Sequence, residues 1–187
     1  MPIADEVKQE LMQVRRDARQ LYSQDQVEAA IAKLAIQLTG DYSERFPLLV
    51  TIMNGGMIFA GHLLTRLDFP LEMDYLHASR YLGDTQGGEV EWIVTPGASL
   101  SGRDVIILDD ILDVGSTLLA IVDACYAQGA NNVKTCVLVD KVHDRKARPG
   151  LKADYTALDA EDFYLFGMGM DYKGYWRNAP GIFAVEE

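Results

Sequence analysis

Three carboxylates and three small loop residues crowd into one corner of the sequence: Asp109, Asp110 and Asp113, then Gly115, Ser116 and Thr117. Acids this close repel one another unless something compensates them. Hydroxyl donors such as a sugar diol could do so, and so could a divalent cation. Gly115, Ser116 and Thr117 add backbone N–H groups and hydroxyls where a helix begins, which is a place for an anion. A diol site beside a phosphate site suits a phosphorylated sugar. The plainer alternative is a helix N-cap with spare surface acids. The order of the pattern favours the ligand: acids first, hydroxyls second, directly after a buried strand.

Stepping outward, the elements that must hold this corner are legible on both sides. Val105-Ile106-Ile107-Leu108 is apolar and mostly β-branched, as in a strand covered on both faces. Leu118 to Ala124 reads as a helix. Upstream, Leu48 to Met53 is a second apolar strand. It is followed by a tight Asn54-Gly55-Gly56 turn and a helix over Met57 to Leu67. Gly55 and Gly56 would let backbone amides approach an anion closely. Leu71 to Ala78 and Val90 to Val94 are predicted strands around a polar, Gly-rich segment. Val133 to Val139 is another strand, running into Asp140-Lys141, and Asp154 to Leu158 a shorter one. Strands alternating with helices imply an α/β fold with a mostly parallel central sheet. Ligands of such sheets bind beyond the C-terminal strand ends. Asn54, Asp109, Lys141 and Asp171 all follow predicted strands.

The remaining segments carry structure rather than chemistry. Ala4 to Leu21 is predicted as an amphipathic helix. Ser23-Gln24-Asp25-Gln26 resembles a capping box opening a second helix, with Gly40 as its stop. Gly181 to Val185 is predicted as a closing strand. Gly167 and Gly169 lack the third glycine and the strand-loop-helix context of a dinucleotide site. The cationic stretch Lys141 to Arg148 reads as a solvated loop.

Bulk properties narrow the function classes. The 187 residues suit one domain, 49% of them hydrophobic, and no linker or repeat divides them. A net charge of -11 excludes a generally basic nucleic-acid binder. Cys125 and Cys136 are the only cysteines, too few for a disulfide framework. The three histidines show no metal-ligand spacing. No apolar run reaches membrane-spanning length and no secretory leader is evident, so the expected compartment is the cytoplasm.

The stretch Asp109-Asp110, then Asp113-Val114-Gly115-Ser116-Thr117, resembles the 5-phosphoribosyl-1-pyrophosphate (PRPP) motif of the type I phosphoribosyltransferases. The resemblance runs from about Leu48 to Val185 and is strongest to the bacterial hypoxanthine-guanine members. It implies one domain over 1–187: N-terminal helices over 1–40, a core over 48–158, and a small hood with the purine site over 159–187. It also implies a purine salvage enzyme that moves the phosphoribosyl group from PRPP to hypoxanthine or guanine, giving IMP or GMP and pyrophosphate. Mg²⁺ is the expected cofactor, no nucleic acid or membrane is involved, and the assembly is a homodimer or homotetramer. Xanthine preference, and a nucleotide-binding regulator of the same fold, are the alternatives.

Residue by residue, the resemblance assigns PRPP binding to Asn54, Gly55, Gly56, Arg80, Tyr81, Asp109, Asp110, Val114, Gly115, Ser116 and Thr117. Asp113 is the implied general base and Arg177 the implied contact to pyrophosphate. Lys141, Tyr164, Leu165 and Asp171 belong to the purine end, and Asp109, Asp110 and Asp171 to the metal. A cis peptide at Met53-Asn54 is also implied. Three positions depart from the family pattern: Asn54 stands where some members have Lys, Arg80 where the lid Ser is usual, and Val114 where Thr is usual. The last removes a hydroxyl contact, so weaker PRPP binding is expected rather than loss of activity.

Overall fold

Two apolar faces on each central strand require two covering layers, and the chain supplies both. A computed structural model describes residues 3–80 and 90–186. In chain order the elements are α1 (Asp5–Asp17), β1 (Arg19–Tyr22), α2 (Gln24–Tyr42), β2 (Leu48–Met53), α3 (Gly56–Leu64), β3 (Glu72–Arg80) and β4 (Val90–Val94). They continue with β5 (Asp104–Leu112), α4 (Ser116–Ala127), β6 (Asn132–Val142), β7 (Tyr155–Glu161), β8 (Tyr164–Phe166) and β9 (Ile182–Val185).

The main sheet has the order β4-β3-β2-β5-β6-β7. Its neighbours are parallel except for β4, which runs antiparallel along one edge. Side chains alternate across β5 with period two. Ile106 and Leu108 face the layer formed by α2 and α3, against Ile31, Leu38, Phe59 and Leu63. Val105 and Ile107 face the α4 side, against Leu118, Ile121 and Cys125. This double burial is why the strand reads as an unbroken apolar run. It also fixes the register that delivers Asp109 and Asp110 at its far end.

A second sheet, of order β1-β9-β8, forms a hood over those strand ends. Its first strand was not expected. The predicted helix over Ala4 to Leu21 stops at Asp17, and Ala18 turns to extended backbone. Arg19 and Gln20 then pair with Ala184 and Phe183 of β9. Local periodicity favoured helix there, and long-range pairing overrode it. The turn between β8 and β9 is tied to α1. Trp176 Nε1 donates to the Leu11 carbonyl at 2.8 Å, and the Tyr172 hydroxyl donates to Glu10 at 2.8 Å.

Smaller differences have similar causes. The capping box at Ser23 is present, with Gln26 reciprocating. Its helix passes Gly40 and ends at Tyr42, whose ring is buried and so draws the last turn onto the core. The strand expected from Asp154 begins one residue later and runs to Glu161. Asp154 instead accepts from Lys134 Nζ at 2.7 Å and from the Thr135 amide at 2.8 Å. Burial alone would raise its carboxyl, but Lys134 and the two Thr135 donors outweigh that and hold it below the ordinary value.

Of the stretch read as a solvated loop, Lys141 to Arg148, the first two residues complete β6 and the rest form a strap over the ends of β5 and β6. Lys146 is nearly buried and donates to Asp140 at 2.6 Å and to the Leu112 carbonyl at 2.8 Å. The Ala147 amide donates to the Val114 carbonyl at 2.8 Å. Two fixed acceptors, one on β5 and one on β6, take up a charge that the sequence alone assigns to solvent. Lys146→Met would leave the Asp140 carboxylate buried without its cation, so stability should fall by about 3–5 kcal/mol. The check is a lower urea midpoint at unchanged slope. An unmoved midpoint would mean that the pair does not pin the strap. Among the described residues, no helix is long and apolar enough to cross a membrane.

Candidate active site

The C-terminal ends of β2, β5 and β6 open into a cleft of about 540 Å³, roofed by the hood. At its floor Asp109 and Asp110 end the apolar run of β5. Asp110 is 7% exposed, and Asp109 is partly open to the cleft. Burial, and next the charge of Asp110, push the Asp109 carboxyl well above its ordinary value. Burial likewise raises Asp110, against the pull of Asp109 as hydrogen-bond partner and of Arg177. Two acids side by side, one buried and one partly so, with one guanidinium 3.9 Å from Asp110, form a site that a cation or a pair of hydroxyl donors would relieve.

The end of the cleft expected to take a phosphate is built by the turn from β5 into α4. Gly115 caps the helix with φ of 85°, and a Cβ there would meet the side chains of Leu151 and Leu112 at 2.5 and 2.7 Å. Only glycine takes this conformation without strain. Val114, Gly115 and Thr117 line the cleft, and Ser116 is the first residue of α4. The positive end of the α4 dipole is directed at this turn, a setting that favours an anion.

The opposite wall is the turn after β2. The Met53-Asn54 peptide is cis. Asn54 and Gly55 line the cleft, whereas Gly56 does not: it packs α3 onto β5, where a Cβ would meet the Leu108 carbonyl oxygen at 2.8 Å. Gly55 is equally constrained, because a Cβ would lie 2.3 Å from Asp110 Oδ2. Gly169 of the hood comes to the same point. Its φ is 116°, and a Cβ would meet the Gly55 carbonyl oxygen at 2.2 Å. The hood therefore touches the β2 turn main chain to main chain, beside the acid pair.

The hood turn presents Asp171 and Arg177. Arg177 Nη2 lies 2.5 Å from Asp171 Oδ1, and its Nη1 donates to the Gly169 carbonyl at 2.7 Å. Asp171 Oδ2 also accepts the Gly174 amide at 2.6 Å. These bonds hold both groups at the cleft beside Asp110.

At the far side, Lys141 is the penultimate residue of β6 and is 7% exposed, with Nζ 2.9 Å from Asp162 Oδ1. Asp162 also takes two nitrogens of Arg145, at 2.6 and 3.2 Å. Arg145 first, then Lys141, lowers the Asp162 carboxyl far below its ordinary range. Tyr164 is half-exposed at the rim, edge-on to Tyr172 at 5.6 Å, and Leu165 is buried behind it. Asp113 lies between this end and the turn into α4.

Of the residues singled out in the sequence, the cleft gathers Asn54, Gly55, Asp109, Asp110, Asp113, Val114, Gly115, Thr117, Lys141, Tyr164, Leu165, Asp171 and Arg177. Gly56 and Ser116 support it from behind. Arg80 ends β3 with its side chain outside the described part, and Tyr81 lies outside the described residues altogether. His77 and Met170 also line the cleft and were missed. His77 pairs in register with Met53, so the strand-end rule could have found it. His143 and Asp162, which hold Asp113 and Lys141, carried no signal beyond lying near predicted strand ends.

Two groupings bear on a metal. Asp113, His143 and Asp162 place ligand-type atoms within 4.8 Å of one another. Lys141 and Arg145 already supply positive charge there, at 2.6 to 3.7 Å from the two carboxylates. A divalent cation would meet them head-on. Asp109, Asp110 and Asp171 offer hard oxygens from two walls of the cleft rather than one closed cage. That suits Mg²⁺, which is commonly held by one or two carboxylates with substrate phosphates completing its shell.

Known proteins share this architecture. Residues 17–173 match the family model described as a phosphoribosyl transferase domain. The hypoxanthine-guanine phosphoribosyltransferase of Bacillus subtilis is 34% identical over 163 residues, covering 87% of this chain and 89% of the relative. That of Streptococcus thermophilus is 35% identical over 168 residues, covering 89% and 92%. The crystal structure of a hypoxanthine phosphoribosyltransferase from Staphylococcus aureus superposes with a TM-score of 0.86 at 32% identity, over 92% of this chain and 94% of that one. A hypoxanthine-guanine-xanthine phosphoribosyltransferase structure superposes with a TM-score of 0.83 at 30% identity, over 92% and 99%.

Proposed function

The chain belongs to the phosphoribosyl transferase domain family, and from that premise we propose that it transfers the phosphoribosyl group of PRPP to hypoxanthine or guanine. The products are IMP or GMP and pyrophosphate. The observation that carries this reading is the placing of a carboxylate, Asp113, and a nearly buried ammonium, Lys141, in the same cleft as the acid pair and the helix start.

The 5′-phosphate sits on the amides and hydroxyls of residues 114–117, at the N-terminus of α4. Asp109 and Asp110 take the ribose hydroxyls, whose donated protons relieve the crowding of two neighbouring carboxylates. The C1–O bond to pyrophosphate breaks as the C1–N bond to the purine forms. Charge then develops as in glycoside chemistry: positive on the sugar, negative on the leaving group. Arg177, held by the Gly169 carbonyl and Asp171, presents a fixed cation to the pyrophosphate. Asp113 accepts the proton released by the purine ring nitrogen. Lys141, steadied by Asp162, donates to the exocyclic oxygen of a 6-oxopurine, and Tyr164 offers its ring to the base. Adenine carries a donor at that position and would set it against the ammonium. Mg²⁺, held through Asp109, Asp110 or Asp171, would neutralise charge on the pyrophosphate.

The test is turnover with PRPP, Mg²⁺ and a panel of hypoxanthine, guanine, xanthine and adenine. Hypoxanthine or guanine should be consumed well ahead of adenine. Preferred use of xanthine would change the substrate, and no turnover with any base would end the enzymatic reading.

A further inference from the structure

We propose that His143 is a positioning residue for Asp113, a backbone-locked N–H donor that fixes which oxygen of that carboxylate receives the purine proton. The inference rests on the reading of Asp113 as the general base.

His143 follows the last residue of β6, two positions beyond Lys141. Its side chain is 5% exposed. Nε2 lies 2.7 Å from Asp113 Oδ1, and Nδ1 receives the backbone amide of Arg145 at 3.0 Å. An amide can only donate, so Nδ1 is the bare nitrogen and the ring proton resides on Nε2. The imidazole therefore donates to Asp113. Turning the ring over would break both bonds, so the tautomer and the orientation are set together.

Asp113 needs such a partner. It lies past the end of β5, in the turn before α4, and its side chain is 44% exposed. Lys141 Nζ at 3.7 Å and Arg145 Nη2 at 3.6 Å also address Oδ1, but too far for a good hydrogen bond. All three contacts fall on Oδ1, which leaves Oδ2 for the incoming proton. The roles invert those of a Ser-His-Asp triad, where a carboxylate holds an imidazole that does the proton transfer. Here the imidazole holds and the carboxylate reacts. The strap that delivers His143 is itself fastened, by Lys146 to Leu112 and by Ala147 to Val114, at the residues flanking Asp113.

The test is steady-state kinetics with PRPP and hypoxanthine on His143→Ala, His143→Phe and His143→Gln, each checked for folding by thermal melt. Ala and Phe remove the donor, the second while keeping ring volume. Both should lower kcat roughly 10-fold while the KM for PRPP stays within about twofold. Gln, which keeps an N–H donor, should recover most of the loss. Added to Asp113→Asn, His143→Ala should cost nothing further, because the two act as a unit. Unchanged kcat in the Ala variant, recovery by Phe as full as by Gln, or an additive double variant would each overturn the inference. Failure of the parent reading looks different: the unmodified protein would be inactive on every base, or Asp113→Asn alone would be harmless.

Discussion

Asp113→Asn should lower kcat for hypoxanthine by about 10²- to 10⁴-fold, the usual range for loss of a general base. The substitution is nearly isosteric. The Asn carbonyl oxygen can still accept from His143 Nε2, now 2.7 Å from Asp113 Oδ1. What changes is the other position, where an amide nitrogen replaces the oxygen that takes the purine proton. In the proposed mechanism PRPP is held by other groups: the turn at 114–117, Asp109 with Asp110, and Arg177. Its affinity, measured by calorimetry with Mg²⁺ present, should therefore stay within a few-fold. A loss confined to kcat is the signature of an interaction used only in the transition state. Turnover equal to that of the unmodified protein would remove Asp113 from the mechanism.

Lys141→Ala should act at the other end of the reaction, on choice of base. The residue is 7% exposed and its ammonium is paired to Asp162, so it is fixed before the base arrives. Removing a charged donor to the exocyclic oxygen should raise the KM for hypoxanthine by roughly 10- to 100-fold. Preference over adenine should shrink in step, since the group that rejects adenine is the one removed. Asp162 would keep its two contacts from Arg145, so the strap should persist and the melting temperature should change little. An unaltered KM for hypoxanthine would mean that Lys141 serves the strap and not the substrate.

The central corner was readable because its cause is local. A strand buried on both faces, an acid pair and a small-residue turn each leave their mark within a few residues, and Val105 to Thr117 carries all three. The strap was not readable, because its partners are scattered. Lys146 is neutralised by Asp140 and Leu112, and Arg145 by Asp162, acceptors from separate elements. In sequence such a cationic run looks solvated. Gly169 was discounted with Gly167 as a failed dinucleotide pattern, yet its value is a close approach to Gly55 that no motif records. β1 was hidden for a third reason. Residues 19–21 continue a helical period, and only β9 makes them part of a strand. The expectation for Tyr81 lies outside the described residues.

The roof of the cleft is sewn from distant parts of one thread. Arg19 pairs with Ala184, while the sheet beneath is complete by Glu161. During synthesis on the ribosome, the lower sheet can assemble while β1 still waits for a partner that has not been made. The groups carried by the roof, Asp171 and Arg177, thus come to their stations after the acids of β5 and the turn into α4. On the proposed mechanism, a nascent chain would hold the half of the cleft meant for the sugar phosphate before the half meant for the leaving group.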